Sequence, residues 1–256
     1  MFDIGNTHVN GAIFEGRRIV TRFVAATGDC MNSRSVSRFI TKNVGRKSAA
    51  KIEGVCISSV VPAVNRPFRD ACIYLFKKTP LFVTAKNAGV ILRQYKPQEI
   101  GTDRIVNALA AYRKYKKAVI VVDIGTGTTI DAVNSKGEFL GGAIAPGVSL
   151  CAVALHEMTA KLPRVLVSRP KRVIGSNTRD CIRSGLFFGC AGLIDNLVRE
   201  ISREMKCKPL VIATGGDAKL ISKGSKTIDR VDPNLTLEGL KFIWERKRIK
   251  AIIWAA

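Results

Sequence analysis

Three acids stand where a carboxylate could do chemistry. Asp3 opens the run Asp3-Ile4-Gly5-Asn6-Thr7, Asp123 opens Asp123-Ile124-Gly125-Thr126-Gly127-Thr128-Thr129, and Asp103 lies in Gly101-Thr102-Asp103-Arg104. In the first two runs glycine lets the backbone approach phosphate oxygens closely and adopt positive φ, while the hydroxyl and amide side chains that follow supply donors. A carboxylate beside such a turn suits magnesium, a hard cation that takes oxygen ligands and keeps several waters. A single Asp-x-Gly is more simply a turn. Two copies, Asp3 and Asp123, lie 120 positions apart and share the same trailing residue types, which points to a nucleotide-phosphate site. Asp103 reads two ways on local sequence: a helix-capping acid with Arg104 beside it, or an ionised carboxylate that takes a hydroxyl proton while Arg104 pairs with an anion.

The elements that must position these acids follow from the surrounding pattern. Val119 to Val122 is an apolar run that reads as a buried strand delivering Asp123 to its turn. The match between the two runs continues past the turns, with Gly11-Ala12-Ile13 opposite Asp131-Ala132-Val133. A duplicated α/β chain is therefore expected, divided into residues 1–117 and 118–256, with the two domains facing each other across a cleft. Only Met1 and Phe2 precede Asp3, so either the first strand is very short or the true start lies upstream. A hairpin is expected from 8–14 and 18–25 around Glu15-Gly16-Arg17, helices over 33–47 and 64–78, and strands over 52–61 and 80–84. Apolar positions Ile105, Val106, Leu109 and Tyr112 predict a helix after Thr102 or Asp103. Farther on, strands are expected over 131–135 and 139–145, a helix over 148–161, and a long helix opening at Ile174-Gly175-Ser176-Asn177-Thr178. Its Gly185, Gly189 and Gly192 share a face suited to close helix approach, within the monomer or across a dimer. Pro209 to Thr214 predicts a strand entering the turn Gly215-Gly216, where backbone can lie against a base or sugar. A final helix is expected from Asn234 to Trp244, with Arg246-Lys247-Arg248 a solvated run beyond it.

Composition narrows the function classes. With 256 residues, 46% of them hydrophobic, the chain suffices for two modest cores. No apolar run reaches membrane-spanning length, so a soluble cytoplasmic protein without membrane association is expected. The seven cysteines contain no Cys-x-x-Cys pair and read as reduced thiols; two histidines leave little material for a zinc site or a serine–histidine triad. The net charge of +22 is diffuse, with 21 basic and 7 acidic residues through Lys117 and 21 and 13 after it. A compositional bias is the favoured reading, and any nucleic-acid binding is expected to be non-specific and salt-sensitive.

Assembled in order, the segments Asp3 to Thr7, Ile57-Ser58-Ser59-Val60-Val61-Pro62, Tyr95 to Arg104, Asp123 to Thr129, Gly141 to Gly147, Gly175 to Gly185, Thr214 to Gly216 and Leu235 to Leu240 resemble type III pantothenate kinases, a branch of the acetate and sugar kinase, actin and heat-shock chaperone ATPase superfamily. The resemblance implies two duplicated ribonuclease-H-like (actin-like) domains, each a mixed sheet flanked by helices, with the active site in the cleft. It implies ATP-dependent phosphorylation of pantothenate, the first step toward coenzyme A, by a homodimer using magnesium and potassium or ammonium. Matched position by position, it implies that Asp3, Ile4, Gly5, Asn6 and Thr7 cradle ATP phosphates, with Asp3 serving magnesium directly or through water. Asp123 would bind the monovalent cation and Thr126 would touch ATP. Tyr95, Gly101, Thr102, Asp103 and Arg104 would hold pantothenate, Asp103 being the proton acceptor, its pKa not necessarily raised. Thr178 would reach substrate from the neighbouring subunit, and Thr214, Gly215 and Gly216 would lie by the adenosine. Gly127 stands where the family commonly has alanine. The alternatives are another phosphotransferase of the superfamily and a non-catalytic regulator with a basic, nucleic-acid-binding surface.

Overall fold

A computed structural model describes residues 1–93 and 96–255; the side chains of 46, 47 and 250–255 are outside the description. The chain forms two compact units, 1–89 with 96–110 and 236–256, and 90–95 with 111–235. These differ from a single cut after Lys117, chiefly because the last helix belongs to the first unit.

In the first unit, β1 (Phe2–Ile4), β2 (His8–Glu15), β3 (Arg18–Ala26), β4 (Cys56–Ser59) and β5 (Leu81–Phe82) form a sheet in the order β3-β2-β1-β4-β5. The strand that carries Asp3 has only three residues, yet it is central. It pairs antiparallel with β2 and parallel with β4, and successive side chains alternate between the sheet's faces. Phe2 and Ile4 therefore point into the core, where Phe2 packs edge-on against Phe23 and Phe68. Asp3 points to the other face. The β2–β3 hairpin turns at Gly16, whose φ of +54° is costly for a residue with a Cβ. Helices Ser33–Val44 and Pro62–Phe76 cover the Phe2 face with Val36, Ile40, Val64 and Phe68. The first is opened by an Asn32–Ser35 capping box and stops at Gly45, before the expected end at 47.

The second unit holds β6 (Ile91–Leu92), β7 (Val119–Ile124), β8 (Gly127–Val133), β9 (Glu138–Pro146), β10 (Leu210–Thr214) and β11 (Arg230–Val231), in the order β11-β10-β7-β8-β9-β6. Leaving out β6, the order β9-β8-β7-β10-β11 repeats β3-β2-β1-β4-β5, with antiparallel pairs on one side of the acid-bearing strand and parallel pairs on the other. The duplication read from two Asp-x-Gly turns is thus a duplication of topology. Ile120, Val122 and Ile124 pack with Ile130, Phe187, Ile194 and Val211 in this unit's core, which explains why β7 is apolar almost throughout.

The Thr178–Glu204 helix is, contrary to expectation, long and apolar enough to cross a membrane by length and composition, but Ile182, Leu186, Phe187, Ile194 and Val198 are buried in the core. One of its acids is buried too. Asp195 is 6% exposed and accepts from Ser225 Oγ at 2.5 Å, Thr227 Oγ1 at 2.7 Å and the amides of Lys226 and Thr227. Burial alone would raise its pKa, but these hydrogen bonds outweigh burial and the net shift is downward. Its stabilisation is therefore present above the unfolded value, about 3.9, and lost as pH falls through the lowered folded value. Asp195→Ala leaves several inward donors without a partner and is expected to cost on the order of 2–4 kcal/mol in urea unfolding at pH 7. The cost should shrink as the pH is lowered into the carboxylate range.

Other boundaries differ from those expected. The strand expected over 52–61 is ordered only at Cys56–Ser59, and the helix expected over 148–161 ends at Glu157. The last helix runs through the basic stretch, from Leu235 to Ala255. Arg246 donates to the Asn87 carbonyl at 2.7 Å and Arg248 pairs with Glu53, so residues read as solvated have tertiary partners. Gly239 lets this helix approach Val106 and Ala110, and Thr236 Oγ1 donates to Asn107 Oδ1 at 2.7 Å, which ties it to the first unit.

Candidate active site

In the first unit the register of β1 sets three polar residues in a row. Asp3 pairs with Asn10 on one side and with Ser58 on the other, so their side chains share the face opposite Phe2. The turn after β1 is closed by the Gly5 amide donating to the His8 carbonyl at 2.9 Å, and Thr27 Oγ1 donates to the Gly5 carbonyl at 2.7 Å. Ile4 is buried, whereas Asn6 and Thr7 are exposed at the turn. Ile4 thus serves as an anchor for the turn, and Gly5 to Thr7 present the groups that could meet a phosphate.

Ser58 joins this row to the next candidate. The Thr102–Tyr115 helix begins with the hydroxyl of Thr102 lying 3.0 Å from Ser58 Oγ. Asp103 follows, and its Oδ1 accepts from the Arg104 amide at 2.8 Å. A Cβ on Gly101 would lie 2.5 Å from that same oxygen, so glycine leaves room for the carboxylate to fold back over the helix start. Burial raises the Asp103 pKa, opposed by the Arg104 amide and the Arg104 charge. The proton-acceptor role does not require a raised pKa, and desolvation of the site supplies one all the same. Arg104 is 5% exposed, so the pair is carried largely inside the unit. Gly101→Ala is expected to displace the carboxylate and lower turnover by roughly 10-fold or more, the scale of a misplaced catalytic group, with little change in thermal midpoint. Steady-state kinetics and a melting curve on the same preparation check both halves.

The second unit repeats the row. Asp123 pairs with Thr129 on β8 and with Thr214 on β10, giving Thr129–Asp123–Thr214 across three strands. The loop beyond it is tight, with the Gly125 amide donating to the Gly127 carbonyl at 3.1 Å and the Gly147 amide to the Thr126 carbonyl at 3.0 Å. A Cβ on Gly147 would stand 2.0 Å from the Gly125 carbonyl oxygen, which explains the Pro-Gly that punctures the end of β9. Gly215 has φ +93°, and a Cβ there would lie 2.4 Å from Asp123 Oδ1. Thr214 is 2% exposed, so the turn offers its backbone and Gly216 rather than the threonine side chain. Ser149 Oγ donates to Asp217 Oδ2 at 3.1 Å, and the Asp217 amide to the Ile124 carbonyl at 3.0 Å, closing this turn against the end of β7.

The donor set can be tested for the cations it could hold. Thr129 Oγ1 is buried without a hydrogen-bond partner and stands beside Asp123 on one face. A carboxylate next to an unsatisfied hydroxyl oxygen fits a monovalent cation, for which all-oxygen ligation is sufficient. Among the described residues there is no group of three or more His, Cys, Asp or Glu that could hold a metal. One carboxylate still fits magnesium, which takes one or two together with substrate phosphates.

The structure therefore brings Asp3, Gly5, Asn6, Thr7, Gly101, Thr102, Asp103 and Arg104 together in one unit, and Asp123, Thr126, Thr214, Gly215 and Gly216 in the other. Tyr95 lies outside the described residues. Thr178, the first residue of its helix after the Asn177 cap, is exposed in the second unit. Ser58 and Thr129 were missed as individual positions. Ser58 lay inside a singled-out segment without a role, and the pairing that gives either residue one is visible only in the register. The groove of about 750 Å³ lined by Arg69, Phe82, Trp244 and Lys247 opens near Val55, at the opposite end of β4 from Ser59.

The sequence model of the type III pantothenate kinase family matches residues 1–200. A type III pantothenate kinase of Dehalococcoides mccartyi (strain CBDB1) is 42% identical over 253 residues, covering 96% of this chain and 95% of the relative. Among solved structures, a Campylobacter jejuni protein assigned to a Baf family of transcriptional activators aligns with a TM-score of 0.61 at 19% identity, over 96% of this chain and 98% of its own. An activator of 2-hydroxyisocaproyl-CoA dehydratase from Clostridium difficile, with bound ADPNP, aligns with a TM-score of 0.55 at 14% identity, over 98% and 96%. At such identities the two structures carry the fold alone, and with the repeated strand order they identify two ribonuclease-H-like, actin-like domains.

Proposed function

Because the chain belongs to the type III pantothenate kinase family and so phosphorylates pantothenate with ATP at the first step of coenzyme A synthesis, we propose that Asp103 is the proton acceptor of that reaction and that the two Asp-x-Gly turns bind its nucleotide. The pantothenate hydroxyl oxygen attacks the γ-phosphorus, the new O–P bond forms as the bond to ADP breaks, and the hydroxyl proton passes to an Asp103 carboxylate oxygen. Phosphoryl transfer asks little covalent work of a protein, so positioning and charge neutralisation dominate. The single observation that carries the assignment is Asp103 itself: a carboxylate whose pKa is raised by burial, held over Gly101 at a helix start that is bonded to the strand beside Asp3.

The backbone of Asn6 and Thr7 receives ATP phosphates, with Gly5 leaving room for their close approach while its own amide closes the turn on the His8 carbonyl; Asp3 faces magnesium directly or through water, Thr126 touches ATP, and Thr214 to Gly216 line the adenosine. Gly101, Thr102 and Arg104 with Tyr95 hold pantothenate. Asp123, with Thr129 beside it, holds potassium or ammonium; these cations supply positive charge that a Walker lysine supplies elsewhere. Magnesium titration and replacement of potassium by sodium test this: turnover should require magnesium and fall in sodium, and Asp123→Asn should lose the potassium response. Potassium-independent turnover by the parent enzyme would remove Asp123 from that role.

The protein is further proposed to act in the cytoplasm as a homodimer, with Thr178 reaching the partner's substrate. Support comes from an open helix face, where a side chain at Gly185, Gly189 or Gly192 would meet no neighbour within 4 Å of its Cβ and Leu193 is 38% exposed. Gly189→Leu has room in the monomer, so it should yield a folded monomer by light scattering. An unchanged dimer would put the contact elsewhere.

A further inference from the structure

The segment from Ser58 to Val61 is the end of β4 and its connection to the Pro62–Phe76 helix, and no role in the reaction attaches to it so far. Its bonds run in two directions. Toward the first phosphate turn, the Val60 amide donates to the Ile4 carbonyl at 3.1 Å. Toward the base, Thr102 Oγ1 lies 3.0 Å from Ser58 Oγ, accepts from the Ser59 amide at 3.2 Å and donates to the Ser59 carbonyl at 3.2 Å. Ser59 Oγ closes the segment on itself by accepting from the Val61 amide at 3.2 Å. Val60 Cγ1 lies 3.7 Å from where a Cβ on Gly101 would stand.

A hydroxyl has one proton and two lone pairs. Thr102 Oγ1 has three partners, the Ser58 hydroxyl, the Ser59 amide and the Ser59 carbonyl, and all three are met at once when Ser58 donates and the Thr102 proton goes to the Ser59 carbonyl. The hydroxyl of Thr102 is then saturated within the protein. Ser58 is 0% exposed, so its own hydroxyl has no water to turn to.

We infer that Ser58 is a positioning residue of the kinase reaction, locking the Gly101–Asp103 turn to the strand end that carries the first phosphate turn, and that the Thr102 side chain is a strut rather than a pantothenate ligand. The inference rests on the proposed role of Asp103 and assigns Thr102 only a backbone contact with substrate. Its physical content is that the base and the phosphate turn keep one fixed separation because both hang on the same four residues, where a misplacement of about 1 Å can cost roughly 10²-fold in rate. The second unit shows what the arrangement adds. The register position equivalent to Ser58 is Thr214, and there the chain passes into Gly215, packed closely against Asp123, and the open Gly216 rather than into a hydroxyl lock.

The test is the pH profile of Ser58→Ala beside Thr102→Val and Thr102→Ser. Removing the Ser58 donor should lower kcat roughly 10-fold or more while KM for ATP stays within about 2-fold. It should also move the acidic limb of kcat/KM to lower pH, because water admitted at the helix start relieves the burial of Asp103; Arg104 is the charged group acting on that carboxylate. Thr102→Val should do the same, and Thr102→Ser, which keeps the hydroxyl, should restore both rate and limb. An unchanged rate, or a loss of rate with the limb unmoved, would overturn the inference, and if Ser58→Ala does not fold the Thr102 pair decides by the same criteria. Should the parent enzyme itself fail to phosphorylate pantothenate, the role of Asp103 falls instead, and the lock is judged by the Asp103 carboxyl titration in NMR, which Ser58→Ala must lower.

Discussion

Asp103→Asn is expected to lower turnover by about 10²-fold or more and, at the same time, to stabilise the protein at neutral pH. The first effect is the usual scale for losing a general base. The second follows from the sign of the shift. Burial raises the folded-state pKa, so the stabilisation linked to proton binding is complete below the unfolded value of about 3.9 and is lost as pH rises through the raised folded value. At pH 7 the parent therefore carries an ionised, desolvated carboxylate, and asparagine removes that cost while its Oδ1 can still accept from the Arg104 amide. Paired urea melts at pH 7 and at pH 4 should show an advantage for the variant that shrinks on acidification, alongside the loss of activity. A destabilised, active Asp103→Asn would mean that this acid is a helix cap and nothing more.

Asp3→Asn is the second large effect. The substitution is isosteric and sits on the polar face of β1, so the Phe2 and Ile4 packing beneath is left intact. Losing one preorganised charge at a transferring phosphoryl group costs roughly 10²–10³ in kcat. The loss should come with a higher magnesium requirement and an unchanged melting midpoint, read by initial rates across magnesium concentrations and by calorimetry. A proportional loss of rate and stability would instead mark Asp3 as a structural member of the Asn10–Asp3–Ser58 row.

Much of this was legible before any coordinates, for reasons that differ by element. The apolar run into Asp123 reads as a buried strand because it is short and ends in a glycine turn, and its partner at Asp3 pointed to the duplication even though the first strand has only three residues. The helix expected from residue 33 starts there, and the one expected to open within Ile174 to Thr178 starts at Thr178; their caps, Asn32 and Asn177, emerge only in the structure. The last helix was cut short because Arg246-Lys247-Arg248 looks solvated in isolation. The partners that tie it in, Asn87 and Glu53, are more than 150 positions away. The same distance problem hid the domain division, since nothing local says that residues after Leu235 return to the first unit.

Within the site, residue identity carried the acids and glycines, but not which side chains point inward. The resemblance sets Thr102 among the residues that hold pantothenate, without saying where its side chain points. Its hydroxyl turns out to face Ser58 and Ser59, 44 and 43 positions earlier. Thr129 looked like the tail of a hydroxyl-rich loop, whereas the register sets it beside Asp123 with its oxygen unsatisfied. The raised pKa of Asp103 was likewise out of reach, because burial comes from how the unit packs and not from the neighbouring residues.

The most direct measurement is transfer of labelled γ-phosphate from ATP to pantothenate, followed across pH for the parent enzyme and Asp103→Asn in magnesium and potassium. The parent should form labelled 4'-phosphopantothenate with an acidic limb above the ordinary aspartate range, and the variant should lose both the rate and the limb. Labelled product formed by Asp103→Asn at the parent's rate, with the limb still in place, would contradict the assignment of Asp103 as the group that takes the proton.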